Sequence, residues 1–177
     1  MALKPTLYKV ELQLVDTDRD VYDSCHFTLA QHPSETQARM MVRLMVYALN
    51  YHRDLQFTKG LSTQDEPDIW QISPSLEIQS WIEVGQASPE RMRKGISRSP
   101  KVQLYAYGSE VDVWWQKSES AFKALPHIEV YRFEHQQIEK LVELVAKKMH
   151  LTVSIGAGEM YINAADKEAS VSLSRLL

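Results

Sequence analysis

Trp81-Ile82-Glu83-Val84-Gly85-Gln86-Ala87-Ser88-Pro89-Glu90 decides how the middle of the chain is built. Trp81 to Val84 is a short run of strand-forming residues. Ser88, Pro89 and Glu90 are, in order, a helix cap, a residue pre-set for the first helical turn, and an acid suited to the positive end of the helix dipole. A strand therefore passes directly into a helix, which is expected to end between Gly95 and Ser99, before Pro100. Beyond it, Lys101 to Tyr107 reads as a strand, Val111 to Phe122 as a helix and His127 to Phe133 as a strand. Parallel strands need crossovers of this kind, so the alternation predicts an α/β fold, bordering on α+β, with a mixed central sheet flanked by helices.

Upstream, Tyr8, Val10, Leu12 and Leu14 alternate with Lys9, Glu11, Gln13 and Val15, the pattern of a half-buried strand. Asp16 to Asp20 reads as a turn and Val21 to Leu29 as the returning strand, giving an N-terminal hairpin. Ser34 and Gln37 form a capping-box pattern at the head of a long helix whose apolar positions, Met40, Met41, Leu44, Met45, Ala48 and Leu49, repeat at helical spacing. Methionines at that spacing are read as core rather than as a ligand groove. Short strands are expected over Leu55 to Leu61, Asp68 to Ile72 and Trp81 to Val84. In the last third, a helix over Glu134 to Met149 precedes a C-terminal hairpin, Leu151 to Ile155 and Met160 to Ile162, turning at Gly156-Ala157-Gly158. Ala169 to Leu173 is a further candidate strand. No repeat and no long linker divides the chain, so residues 1–177 are expected to form a single domain.

Of 177 residues 44% are hydrophobic and 24% charged, and 20 Lys+Arg against 23 Asp+Glu give a net charge of −3. This composition excludes disorder, and a mildly acidic chain does not coat nucleic acid through bulk charge, so any nucleic-acid role rests on a local patch. The near-apolar stretch Met40 to Leu49, broken by Arg43, falls well short of the roughly 20 residues that cross a bilayer, so no membrane association is expected. Met1-Ala2-Leu3-Lys4-Pro5 carries no apolar leader core, which points to the cytoplasm. Nothing in the pattern specifies an oligomeric state. The single Cys25 rules out an intramolecular disulfide, and its neighbour His26 points to the opposite face of the predicted strand. The six histidines show no metal-ligand spacing, and no phosphate loop, His-Glu-x-x-His or Gly-x-Ser-x-Gly motif occurs.

Chemistry concentrates in Glu66-Pro67-Asp68-Ile69-Trp70 and Trp81-Ile82-Glu83-Val84-Gly85-Gln86. Asp68 and Glu83 on consecutive strands are able to share one side of a sheet, as oxygen ligands of a divalent cation require. Glu83, between Ile82 and Val84, needs a partner: a cation, an Arg or Lys, or a proton. The plainer alternative is an edge carboxylate or a structural ion pair. Glu35 reads either as a helix-terminal acid pairing with Arg39 or as a third carboxylate leaning over the sheet. The stretch Arg91 to Lys101 holds five basic residues and no acidic one. Arg91, Lys94 and Arg98 share a stripe that reads either as a solvated face or as a seat for a phosphate backbone.

Asp18-Arg19-Asp20-Val21-Tyr22-Asp23, Thr28 to Thr36, Met40-Met41-Val42-Arg43-Leu44, Phe57 to Ser62, Asp65-Glu66-Pro67-Asp68 and Trp81 to Gln86 together resemble the YaeQ family of small bacterial proteins, over almost the whole chain. That family in turn resembles the PD-(D/E)xK nuclease superfamily. The resemblance implies a restriction-endonuclease-like core with hairpins at both ends, and Mg²⁺ or Mn²⁺ as cofactor. It implies that Pro67-Asp68 and Glu83 are the motif acids and metal ligands, with Glu35 as the carboxylate of the first core helix. The superfamily lysine, two residues after the second acid, falls here on Gly85, which offers neither charge nor proton. Gln86, Lys94 and Lys59 are the candidates to replace it, and Lys59, Arg91, Lys94 and Arg98 the candidates to bind nucleic acid. The implied activity is metal-dependent hydrolysis of phosphodiester bonds in DNA or RNA. The alternative is a nuclease-like fold that has lost catalysis and serves as a nucleic-acid or protein interaction module.

Overall fold

The computed structural model describes residues 3–177, so Met1 and Ala2, on which the absence of a leader was partly read, lie outside the described residues. The elements in chain order are β1 (Thr6–Asp16), β2 (Val21–Gln31), α1 (Gln37–Leu49), β3 (Leu55–Phe57), β4 (Ile69–Ile72), β5 (Ile78–Val84), α2 (Pro89–Ile96), β6 (Lys101–Ala106), α3 (Val111–Lys123), β7 (Ile128–Phe133), α4 (His135–Val142), β8 (Lys148–Gly156), β9 (Glu159–Ala164) and β10 (Lys167–Arg175). This is a mixed α+β fold. The chain groups into two compact units, the first made of residues up to Leu49 and Gln136–Leu173, the second of Asn50–His135 and Ser174–Leu177. No helix among the described residues is long and apolar enough to cross a membrane.

In the first unit the strand order is β2-β1-β8-β9-β10, with β1 antiparallel to β2 and parallel to β8. The predicted alternation on β1 holds: Val10, Leu12 and Leu14 are buried and lie in register with Met149, Leu151 and Val153 of β8. The expected turn is tied by Asp16, whose carboxylate accepts from the backbone N–H groups of Asp18 and Arg19 and from Arg19 Nε at 2.7 Å. Helix α1 is buried all round from Met40 to Ala48, so its methionines are core.

Three local expectations are corrected here. Thr36, not Ser34, heads α1: its Oγ1 accepts from Arg39 N at 3.1 Å, while Ser34 Oγ lies 2.7 Å from His32 Nδ1. The helix expected to reach Met149 stops at Val142, because Lys148 and Met149 already pair with Lys9 and Val10 of β1. Met149, Leu151, Val153 and Ile155 fit a period of two, and a strand with a full partner outcompetes the tail of a helix. Strand β3 ends at Phe57 rather than Leu61. Thr58 turns the chain by bonding Pro67 O and accepting from Gly60 N, and Gly60 takes φ +58° at the start of a 3-10 turn, so Lys59 sits in a loop and not on a strand. Cys25 is half-buried, and burial, then the charge of Asp23, pushes its thiol up to about 11, which keeps it protonated and a poor nucleophile.

In the second unit the order is β3-β4-β5-β6-β7. The first three strands are antiparallel, and β5, β6 and β7 are parallel, joined by α2 and α3 as the alternation predicted. Register places Trp81 beside Val102 and Glu83 beside Leu104, hence on one face. Trp81, Val102 and Leu104 pack with Met92 of α2, Phe122 of α3, Ile128 and Val130. Trp114 and Trp115 are half-buried against Phe122, with Trp114 Nε1 donating to Ala87 O at 3.2 Å. The face of β5 that bears Glu83 is thus the face on which α2 lies.

Candidate functional site

Pairing of Ile69 with Ile82 puts Asp68, just before β4, opposite Glu83 on β5. Residues directly opposed on antiparallel strands project to the same side, so the two acids are neighbours. Both are buried, at 2% and 6% exposure. Asp68 Oδ2 accepts from Val84 N at 2.8 Å, which locks the carboxylate across the two strands. Gly60 completes the wall: a Cβ there would lie 3.6 Å from Asp68 Oδ1.

Glu83 receives two donors on one oxygen. Trp81 Nε1 lies 3.0 Å and Arg91 Nε 2.8 Å from Oε1, leaving Oε2 to accept another partner. Glu83 is pushed up to about 7, first by burial and then by the charge of Asp68, against the pull of Arg91 and Trp81. Burial and the charge of Asp68 therefore outweigh the arginine at Glu83. Of the three partners foreseen for Glu83, an arginine is present and a proton is poised near neutrality.

Helix α2 positions that arginine. Ser88 caps it by accepting from Arg91 N at 3.2 Å, and Pro89 and Glu90 open it as expected. Gly95 brings the helix against Trp81, where a Cβ would lie 2.6 Å from the indole Cδ1. The Arg91 and Arg98 guanidinium carbons stand 5.8 and 6.0 Å from the Trp81 ring centroid. Arg91, Lys94 and Arg98 share one face, as the spacing predicted, and that face holds the loop Gln64–Glu66. Arg91 reaches Gln64 O and Glu66 O, Lys94 Nζ lies 2.8 Å from Gln64 O and 2.5 Å from Asp65 Oδ1, and Arg98 Nη1 lies 3.0 Å from Asp65 O.

The other candidates lie elsewhere. Glu35, 6% exposed, belongs to the first unit, where Arg39 Nη1 is 2.9 Å from Oε1 and Arg43 grips both oxygens at 3.0 Å. That is the plainer reading of Glu35, extended by a second arginine. Gln86 follows Gly85, whose φ of +113° ends the strand. Its Nε2 donates to Tyr107 O at 3.2 Å, in an open depression lined by Gly85, Tyr107, Gly108, Ser109 and Glu110. Lys59 is exposed in its loop, with its backbone N–H 3.4 Å from Glu66 Oε2. Among the described residues no group of three or more His, Cys, Asp or Glu converges as a metal cage. What converges is two carboxylates, and Mg²⁺ characteristically uses one or two, completing its shell with water and phosphate oxygens.

Sequence reasoning missed Trp81 as a donor to Glu83 and Asp65 as the acid that meets the basic stripe. The need of Glu83 for a counter-charge was the available signal for Arg91, eight residues later and one helical turn inside α2.

Comparison with known proteins adds the family. The family model described as YaeQ protein matches residues 1–173. Among curated proteins, the uncharacterized protein YaeQ of Salmonella typhi is 35% identical over 175 residues, covering 98% of this chain and 97% of that protein. The YaeQ of Escherichia coli K12 is 34% identical over the same shares. The crystal structure of the YaeQ protein from Xanthomonas axonopodis pv. citri matches with a TM-score of 0.93 at 34% identity over 98% of each chain. That from Pseudomonas syringae matches with a TM-score of 0.93 at 37% identity, over 98% of this chain and 96% of the other.

Proposed function

The chain belongs to the YaeQ family, and we propose that its second unit is a restriction-endonuclease-like hydrolase in which Asp68 and Glu83 hold Mg²⁺ or Mn²⁺ and phosphodiester bonds of DNA or RNA are cleaved. The observation that carries this reading is the pair of buried carboxylates that face one another across adjacent strands, the oxygen donors a divalent cation takes. The residues fit such an ion: hard oxygen donors on rigid strands, with Glu83 Oε2 left to accept. When bound, the ion activates a water and neutralises charge on the phosphate. Asp68, fixed by Val84 N, and Glu83, held on Oε1 by Arg91, are the residues that would hold the ion. Glu35, with both oxygens on arginines, stands outside the ligand set. Arg91, Lys94 and Arg98 supply the positive face for the substrate backbone. Location in the cytoplasm goes with this reading.

Two observations favour the alternative, a catalytically silent interaction module: Gly85 stands where the superfamily has its lysine, and Gln86 and Lys94 both bond away from the two acids. Calorimetric titration with Mn²⁺ separates the two. Binding to the wild type that is lost in Asp68→Asn and in Glu83→Gln, with Mg²⁺-dependent cleavage of an oligonucleotide, supports the hydrolase. Absence of Mn²⁺ binding with and without oligonucleotide overturns it in favour of the module.

A further inference from the structure

The loop Gln64–Glu66 lies on the basic face of α2 in a particular way. Its three consecutive carbonyl oxygens all accept from that face: Gln64 O from Arg91 Nη1 and Lys94 Nζ, Asp65 O from Arg98 Nη1, and Glu66 O from Arg91 Nη2. One full negative charge, Asp65 Oδ1, meets Lys94 Nζ at 2.5 Å. Three cationic side chains thus grip three consecutive carbonyl oxygens of a bent segment, with an anion at its middle. This donor set is the one that holds phosphate oxygens: guanidinium forks and an ammonium, with no apolar anchor to demand a particular side chain.

We propose that this face of α2 is a seat for a nucleic-acid phosphodiester backbone and that Gln64–Glu66 occupies it as an internal strap, displaced when nucleic acid binds. The identity of the partner rests on the phosphodiesterase reading given above; the seat and the strap rest on the bonds themselves. Displacement is energetically within reach. The Asp65 side chain is 78% exposed, and ion pairs so open to water add little to stability. Thr63 Oγ1, just before the strap, is buried without a hydrogen-bond partner, a desolvation cost that displacement reaching Thr63 would relieve. A polyanion brings several phosphates to the same donors and releases its own counterions, which a loop with one carboxylate cannot match.

Arg91 couples the strap to the acids. Its Nη atoms hold Gln64 O and Glu66 O while its Nε holds Glu83 Oε1. Displacing the strap therefore frees two of the three bonds that fix the guanidinium beside Glu83, at the point where the substrate phosphate arrives. The strap is an autoinhibitory contact in which the chain's own carbonyls stand in for substrate.

The test uses the full chain and a fluorescent single-stranded DNA of about 20 nucleotides, with the matching RNA as a second probe, in chelator so that no cleavage intervenes. Asp65→Ala removes the charge of the strap at an exposed position. The expected result is binding on the order of tenfold tighter than wild type, with the slope of log affinity against log salt steeper by about one. Adding Arg98→Ala to Asp65→Ala should cancel the gain. If Asp65→Ala binds neither probe more tightly than the wild type, the proposal is overturned. Failure of the hydrolase reading looks different: the strap variant then binds more tightly yet cleaves nothing when Mg²⁺ is restored.

Discussion

Arg91 Nε lies 2.8 Å from Glu83 Oε1, yet Glu83 takes up a proton at about 7 rather than near its ordinary 4.5. Burial and the facing Asp68 outweigh an ion pair of good geometry, the expected balance for a carboxylate withdrawn from water. The pair is therefore a holding arrangement, strong enough to position Arg91 and too weak to satisfy Glu83.

This relationship predicts a pH signature. Between about 4.5 and 7 the folded protein holds a proton on Glu83 that the unfolded chain has lost. The stabilisation from that proton is complete below about pH 4.5 and is lost as pH rises through about 7, in total of the order of 3 kcal/mol. Glu83→Gln mimics the neutral form, so its stability relative to wild type should rise between pH 5 and pH 8.5. Urea unfolding at both pH values measures it, and curves that stay parallel across that range refute it.

Gly95 gives a second prediction. Alanine is the better helix former by about 1 kcal/mol, but its Cβ would stand 2.6 to 2.9 Å from three atoms of the Trp81 indole. The ring is fully buried and cannot retreat, so α2 must lift. Gly95→Ala should be destabilising by about 1–2 kcal/mol net, and Trp81 fluorescence should shift as Arg91 and Arg98 move off its faces. A variant as stable as wild type with unchanged emission would show the contact to be slack.

How far the sequence carried this description depends on the range of each interaction. The row Val10, Leu12, Leu14 and the Ser88-Pro89-Glu90 cap are local patterns, and both were legible. The end of α4 was not, because what stops it is the pairing of Met149 with Val10, more than a hundred residues earlier in the chain. The short β3 depends on Thr58 bonding across to Pro67, which no periodicity encodes. In the site, the need of Glu83 for a counter-charge followed from its apolar neighbours, and the shared face of Arg91, Lys94 and Arg98 from their spacing. That the stripe meets Gln64–Glu66 depends on contacts between residues 25 to 33 positions apart, which only the fold reveals.

A third prediction concerns Glu35. Its carboxylate and Arg43 are 6% and 5% exposed, and the arginine bonds both oxygens at 3.0 Å and Ala30 O at 2.7 Å. Removing Glu35 takes the carboxylate from two arginines at once, so Glu35→Ala should lower stability by about 3–5 kcal/mol, and Arg43→Ala by less, because Arg39 still pairs with Glu35. The double variant should lose less than the sum, because the bonds between Glu35 and Arg43 are lost in both single variants and counted twice in their sum. A double-mutant cycle in urea measures the coupling, and additive losses would show that the pair does not act as a unit.

Gly85 separates backbone from space. Its φ is +113°, a conformation that L side chains rarely adopt, while a Cβ built there meets nothing within 4 Å. Gly85→Ala and Gly85→Lys should therefore cost the same, about 1–2 kcal/mol of backbone strain, because the longer side chain finds open space rather than a wall. A lysine at this position is thus disfavoured by the backbone and not by crowding. Urea unfolding of the two variants decides the point: a lysine variant several kcal/mol worse than the alanine would mean that the region beyond Gly85 closes in solution. Equal losses would leave room there for a substrate group or a cation that this chain's own side chains do not supply.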